Sequence, residues 1–365
     1  VKNYNFMVTP QILVIYPQVN DTKIGIFKNS SWIFFKTIKF RRPDDENVFK
    51  SVLEQESRRK EQIINELRDN DINIYDISVI MARGGLVKPI KSGIYEINEA
   101  LKEDLRKSCY MHETNLGGLI ADHIASLIPN SKAYMADPVS VDELDDLARV
   151  SGHPMFQRKS LFHALNHKFA GRSYAKSINR NYEDLNLVIA HVGEGGISIG
   201  AHKKGRVIDV NQAYDGDGPF ALTRSGEIAY GDLIEICFSG KYEKNQLRQI
   251  LVENGGLKAH LGTTNINLVE ELIKNGNLKA DIVLRAMAYQ VAKHIGAMFV
   301  VIDQDVDAIL LSGNIFQSKC FTDEVKKRIL KLGHVVISPF VSDMDALADN
   351  AMMILKEEVQ VLHYE

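Results

Sequence analysis

The stretch NLVIAHVGEGGISIGAHKKGRVIDV (Asn186–Val210) decides the reading of the fold. Asn186–His191 is a short apolar run and reads as a strand. Val192–Gly196 is a Gly-rich turn, Ile197–His202 a second strand, Lys203–Gly205 a tight turn and Arg206–Val210 a third strand. The first half of the chain carries the same plan: Gln11–Tyr16 (QILVIY), a turn over 17–22, Lys23–Phe27 (KIGIF), a turn over 28–30, and Ser31–Phe40, rich in aromatic and β-branched residues. After each meander come helices and a buried strand that ends in a Gly turn. Ile77–Met81 runs into Ala82-Arg83-Gly84-Gly85, and Asp307–Leu311 runs into Ser312-Gly313-Asn314. A repeat of this kind predicts an α/β chain of two duplicated domains facing each other across a cleft, with the turns after the first strands pointing into it. Gly-rich turns expose backbone N–H groups, which suit phosphate oxygens. No GxGxxG opens a helix after the first strand, so this is not a dinucleotide-binding pattern.

Helices are expected over Glu46–Asn70, Thr114–Leu127, Tyr230–Ser239, Lys244–Glu253, Asn267–Asn275 and the long Leu278–Val301. A strand over Val335–Pro339 and a helix over Asp345–Val359 end the chain. The expected domains are 1–160 and 161–345, the second carrying the helical insertions, with the terminal helix within 346–365 able to pack back on the first.

Length and composition narrow the function. At 365 residues there is room for two domains, each with its own core. Hydrophobic residues make up 45% and charged residues 25%, ordinary values for a soluble globular protein. A net charge of -3 argues against a general nucleic-acid binder. No apolar run reaches the roughly 18 residues that span a bilayer, so no membrane partner is expected. The start lacks the apolar core of a secretory signal, and Met7 is a candidate natural start after a short leader. Cys109, Cys237 and Cys320 are odd in number and far apart, which fits idle thiols in a reducing cytoplasm better than a metal site.

Between the halves lies DPVSVDELDDLARVSGHPMFQRKSLFHALN (Asp137–Asn166), starting at the end of a strand and finishing inside a helix. It gathers Asp137, Arg149, His153, Arg158, Lys159 and His163. The mixture reads as one wall of the cleft, or else as a connector whose charges face water. Asp137 before Pro138 is also a natural turn former. His153 before Pro154 reads as structural. His191 and His202 end strands beside the second Gly turn and suit phosphate contact and structural capping equally. Asp215–Gly218 (DGDG) reads as a metal or phosphate loop, or as a plain turn.

With these segments in view, the chain resembles the butyrate kinases of the acetate kinase family of carboxylate kinases, within the sugar kinase/actin-like ATPase superfamily. The resemblance is carried by ARGGLVKPIKSGIY (Ala82–Tyr95), the Asp137–Asn166 stretch, GISIGAHKKGRVIDVNQAYDGDGPF (Gly196–Phe220), TRSG (Thr223–Gly226), CFSGKY (Cys237–Tyr242) and RAMAYQVAKHIG (Arg285–Gly296). It implies two ribonuclease-H-like, actin/acetate-kinase-like domains around a central cleft. It also implies reversible phosphoryl transfer from ATP to a short-chain carboxylate, giving an acyl phosphate and ADP, with Mg²⁺ required. Arg83, Asp137, His163 and Arg224 match the family's catalytic residues. Thr22, Lys23, His191, Gly193, Gly195, Gly196, Gly313 and Asn314 fall on its nucleotide and phosphate loops, and Asp137 and Asp343 on its metal-associated acids. Family members form dimers or larger assemblies, and helix Leu278–Val301 is the apolar candidate for a homo-oligomer contact.

Several positions depart from the family pattern. Its first phosphate loop reads approximately NPGSTSTK, and here the residues are Tyr16-Pro17-Gln18-Val19-Asn20-Asp21-Thr22-Lys23. A tyrosine replaces the asparagine, and Gln18 stands where a glycine lets backbone approach phosphate. Asp21 adds a carboxylate there, and Glu194 adds another to the second loop. Two readings follow: a working carboxylate kinase with repacked loops, or a catalytically impaired relative that keeps the fold as a binding or regulatory protein.

Overall fold

The computed structural model describes residues 10–40, 51–108, 110–193, 196–339 and 342–365. The expectations for Met7, the start of helix 46–70, Cys109, Glu194 and Gly195 lie outside the described residues. The strands are β1 (Gln11–Pro17), β2 (Asp21–Lys28), β3 (Ser31–Lys39), β4 (Ile77–Ala82), β5 (Ile94–Glu96), β6 (Lys132–Ala136), β7 (Asn186–Gly193), β8 (Gly196–Lys203), β9 (Arg206–Val210), β10 (Ala308–Ser312), β11 (Val335–Ile337) and β12 (Val361–Leu362). The chain divides into two compact units, Val1–Val141 with Ser342–Glu365, and Asp142–Val341. This division falls earlier in the sequence than residue 160.

The two sheets have the same heart. In the first unit the order is β12-β5-β6-β4-β1-β2-β3, and in the second β11-β10-β7-β8-β9. The meanders β1–β2–β3 and β7–β8–β9 are antiparallel, while β4 runs parallel to β1 and β10 parallel to β7. The duplication legible in the sequence is therefore a duplication of sheet topology.

Burial explains why these strands formed. All seven residues of β1 are buried, as a central strand covered on both faces requires. Edge strand β3 instead exposes residues on both faces, including Ile33 and Phe35. In β7 the alternation sorts side chains to two cores. Val188, Ala190 and Val192 join a cluster with Ala280, Val283, Leu284, Met287, Ala288 and Val291 of helix Leu278–Val301. Leu187 and Ile189 face the other way, onto Ala170 and Ala175 of helix Ala164–Ser177.

Helices Tyr230–Phe238, Lys244–Val252, Ile266–Lys274 and Leu278–Val301 lie where expected, within a residue or two. Helices Glu99–Lys107 and Lys319–Ile329 were not anticipated. The first has only Leu101 and Leu105 buried, too few apolar positions to show a period, and its start is set by the Asn98 side chain accepting from the Leu101 N–H at 3.0 Å. After the second unit the chain returns to the first. Helix Asp343–Leu355 packs on β1 and β4, and β12 extends the sheet beside β5.

Candidate active site

In the second unit the site grows from the turn between β7 and β8. The antiparallel register pairs His191 with Ser198, and the parallel register pairs His191 with Ser312. His191 Nδ1 consequently lies 3.1 Å from Ser312 Oγ. His163 is the N-cap residue of helix Ala164–Ser177, and its Nδ1 lies 2.8 Å from Ser198 Oγ. The two imidazole rings sit 4.9 Å apart. A Cβ built on Gly193 would stand 3.1 Å from His163 Nε2 and 3.2 Å from His191 Nε2. Both Nε2 edges thus face Gly193, which has no side chain of its own.

Two more glycines fit this turn closely. Gly196 has φ +138°, and a Cβ there would crowd the Arg224 side chain at 3.2 Å. Gly313 has φ +109°, and a Cβ there would meet the Val192 carbonyl oxygen at 2.2 Å. Only glycine lets the end of β10 lie this close to the end of β7. Asn314, exposed, opens the short 3-10 turn Asn314–Gln317. Arg224 is oriented by three carbonyls: Nε donates to Ala213 at 2.9 Å and to Tyr214 at 3.2 Å, and Nη1 to Val252 at 3.1 Å. Burial lowers its pKa, with Tyr214, Asp215 and Glu253 opposing. An arginine guanidinium nevertheless stays charged in proteins.

One turn beyond His163, His167 is fully buried. Its Nε2 lies 2.9 Å from Ser198 Oγ and 3.3 Å from the Ser198 carbonyl oxygen, and its Nδ1 is 3.0 Å from His202 Nε2. His202, also fully buried, reaches Tyr182 Oη through Nδ1 at 2.6 Å. Burial pushes both imidazoles well below the ordinary histidine range, helped for His167 by the neighbouring histidines and for His202 by Lys168. His202 therefore belongs to the structural side of the two readings open for it.

In the first unit Tyr16 is the organiser. Its hydroxyl donates to Asp343 Oδ2, the Arg83 guanidinium lies 4.2 Å from its ring centroid, and Lys23 Nζ lies at 6.0 Å. Arg83 also donates from Nη1 to the Pro17 carbonyl at 3.0 Å. The residue that breaks the family pattern thus holds together three residues picked out from the sequence. Thr22 is buried, and its Oγ1 accepts from Arg59 at 2.8 Å. Asp21 points across the sheet, 3.9 Å from Lys39 on β3. Asp137 is buried with φ +36°, and its Oδ1 accepts from Ser92 Oγ at 2.6 Å and from the Gly93 N–H at 2.9 Å.

Much of the 137–166 stretch is surface. Arg149 pairs with Asp142 at 2.7 Å, Arg158 with Asp209 at 2.9 Å, and His153 is exposed. Arg149 and His153 thus face water, as in the connector reading, while Arg158 is half-buried and also donates to the Val210 carbonyl at 3.1 Å. In the Asp215–Gly218 loop, Arg248 and Gln212 engage Asp215, and the Gln212 N–H engages Asp217, as in a plain turn. Among the described residues no group of three or more His, Cys, Asp and Glu gathers as a metal cage, and no helix is long and apolar enough to cross a membrane.

Sequence reasoning missed Tyr16 as an organiser, and it missed Ser198, Ser312, His167 and Tyr182. One signal was available. His163 and His167 stand four apart at a helix start, a spacing that stacks side chains on one face.

A duplicated α/β unit with a meander and a parallel fourth strand is also the fold of solved acetate and propionate kinases. The sequence model of the Acetokinase family matches residues 152–354, more than half of the chain, and the chain belongs to that family. The fold is similar to acetate kinase from Porphyromonas gingivalis, with TM-score 0.76, 16% identity, and coverage of 95% of this chain and 100% of that one. A propionate kinase from Francisella tularensis matches with TM-score 0.73 and 16% identity over 93% and 98% of the two chains. Acetate kinase from Entamoeba histolytica matches with TM-score 0.70 and 15% identity over 88% and 87%.

Proposed function

We propose that this chain is a carboxylate kinase that moves a phosphoryl group reversibly between ATP and a short-chain carboxylate such as butyrate, giving an acyl phosphate and ADP. The observation that carries the reading is the convergence of His163 Nε2 and His191 Nε2 on Gly193. Two imidazole edges fixed beside a glycine backbone suit an oxygen-rich group that gathers charge as it transfers. A carboxylate is already ionised at neutral pH, so the reaction needs positioning and charge neutralisation more than a strong base. Arg224 and Arg83 supply cations with planar forks, and Lys23 a third. Thr22, Gly195, Gly196, Gly313 and Asn314 complete the proposed phosphate contacts, Thr22 sharing its hydroxyl with Arg59. Asp137 and Asp343 are the hard oxygen ligands Mg²⁺ prefers, one or two carboxylates being its usual protein share beside nucleotide phosphates. Bound there, the ion supplies neutralisation of phosphate charge.

We assign the activity to the cytoplasm, in keeping with three scattered cysteines, and to a homo-oligomer. Exposed Leu278, Ile282 and Tyr289 on the long helix support that assembly.

A second reading is favoured by one contact. The Tyr16 hydroxyl occupies Asp343, an acid the resemblance gives to the metal. On that reading the chain is an impaired relative that binds an acyl ligand or a partner. Titration calorimetry of Mg-ATP and of Mg-ADP, with an acyl-hydroxamate assay on butyrate, separates the two. Nucleotide binding with turnover supports the kinase. A folded sample that binds neither nucleotide overturns it.

A further inference from the structure

Five polar groups in the second unit form one line: Tyr182 Oη, His202, His167, Ser198 Oγ and His163. The polarity of that line can be deduced from its partners. A neutral imidazole has one N–H nitrogen and one bare nitrogen. His167 Nε2 faces the Ser198 carbonyl oxygen as well as the hydroxyl. A carbonyl only accepts, so Nε2 of His167 carries the proton. Its Nδ1 is then bare and accepts from His202 Nε2. Nδ1 of His202 is bare in turn and accepts from the Tyr182 hydroxyl. At the other end, Ser198 Oγ accepts from His167 and turns its own proton toward Nδ1 of His163. The proton of His163 therefore sits on Nε2, the atom that faces Gly193.

We infer that Ser198, His167, His202 and Tyr182 are positioning residues, a one-way hydrogen-bond relay that fixes His163 as its Nε2–H tautomer. Burial keeps the middle of the relay neutral, since His167 and His202 are fully enclosed and a charged imidazole there would be desolvated. Lys168 sits at the Tyr182 end, 5.6 Å from the ring centroid, its charge paired with Glu143 at 2.7 Å. Adding a proton at Nδ1 of His163 would also force the Ser198 hydroxyl to turn away. The consequence for the proposed reaction, which rests on the kinase reading, is a histidine that donates to an anionic oxygen without itself being a cation.

The test reads the tautomer directly. Long-range proton–nitrogen correlation spectra on the full chain with ¹⁵N-labelled histidine, His163 being assigned by the loss of its signals in His163→Gln, should show a protonated Nε2 and a bare Nδ1 at neutral pH. In Ser198→Ala the single-tautomer signature of His163 should be lost while that of His202 persists. Wild-type protein with the proton on Nδ1, or on both nitrogens, overturns the inference whether or not the variant folds. So does a Ser198→Ala spectrum in which His163 is unchanged. Absence of turnover with the wild-type tautomer intact would count against the kinase reading and leave the relay standing.

Discussion

Arg59 is the side chain on which the turn between β1 and β2 depends, and Arg59→Met tests that directly. The guanidinium is 1% exposed and donates to the Val19 carbonyl at 3.1 Å, the Asp21 carbonyl at 2.8 Å, Thr22 Oγ1 at 2.8 Å and Gln55 Oε1 at 2.9 and 3.0 Å. It also stacks on Phe40 with 4.0 Å to the ring centroid. Methionine keeps the apolar contact and removes every donor. Water can replace the bond to exposed Val19, but Thr22 and Gln55 are each 2% exposed and are left with dry acceptors. Two buried acceptors orphaned at about 1–3 kcal/mol each, less what is regained by no longer burying a cation, give a loss of about 3 kcal/mol. A chain of two units has no single unfolding free energy, but the sole tryptophan isolates the unit of interest. Trp32 lies on β3 and donates from Nε1 to Asp345 at 2.7 Å. Urea unfolding followed by its fluorescence should shift by about 3 kcal/mol, and Thr22→Val, which removes one acceptor, by about 1 kcal/mol. A loss under about 1 kcal/mol for Arg59→Met would refute the reasoning, since burying the cation would then have cancelled its hydrogen bonds.

Three further outcomes are expected. His167 and His202 are held neutral when folded, so the unfolded chain binds more protons, and their contribution is full above the ordinary value of 6.5 and falls as pH drops below it. Each should cost up to about 1.4 kcal/mol per pH unit below that point; a calorimetric melting temperature that stays flat from pH 7.5 to 5.5 would contradict this. Gly313→Ala forces a Cβ against the Val192 carbonyl at positive φ and should destabilise the second unit by at least about 2 kcal/mol, read as a lowered circular-dichroism melt. Tyr16→Phe releases Asp343 and should lower the Mg²⁺ concentration for half-maximal hydroxamate formation several-fold; an unchanged Mg²⁺ curve would mean the phenol does not compete with the metal.

The sequence carried the fold further than the site. Runs such as QILVIY and NLVIAH, set between Gly and Pro turns, announce buried strands by themselves, and their repetition announced the duplication. Helix Glu99–Lys107 was hidden because two leucines in nine residues show no period. The histidine and arginine positions of the second unit were picked out through the motifs that carry the resemblance, such as KSLFHALN and TRSG. The role of Tyr16 was not, because its partner lies 327 residues away in the chain and is brought to it by helix Asp343–Leu355 packing on β1. Ser198 and Ser312 were invisible for a related reason. A serine in a strand gains meaning only from strand register, which pairs both with His191.

The return of the chain to the first unit has a consequence for biosynthesis. Residues 142–341 are contiguous and can fold as they leave the ribosome. The first unit has to wait, because the helix that packs on β1 and β4, and the strand that pairs with β5, are translated after all of them. Until then an apolar sheet surface stays uncovered on a nascent chain, the kind of surface that chaperones hold and that other nascent chains can stick to. Prompt collapse of the inserted unit shortens the effective tether between the two parts of the waiting one, and with it the entropy lost on closing that loop. Substitutions that slow the second unit should therefore first be felt as aggregation of the other.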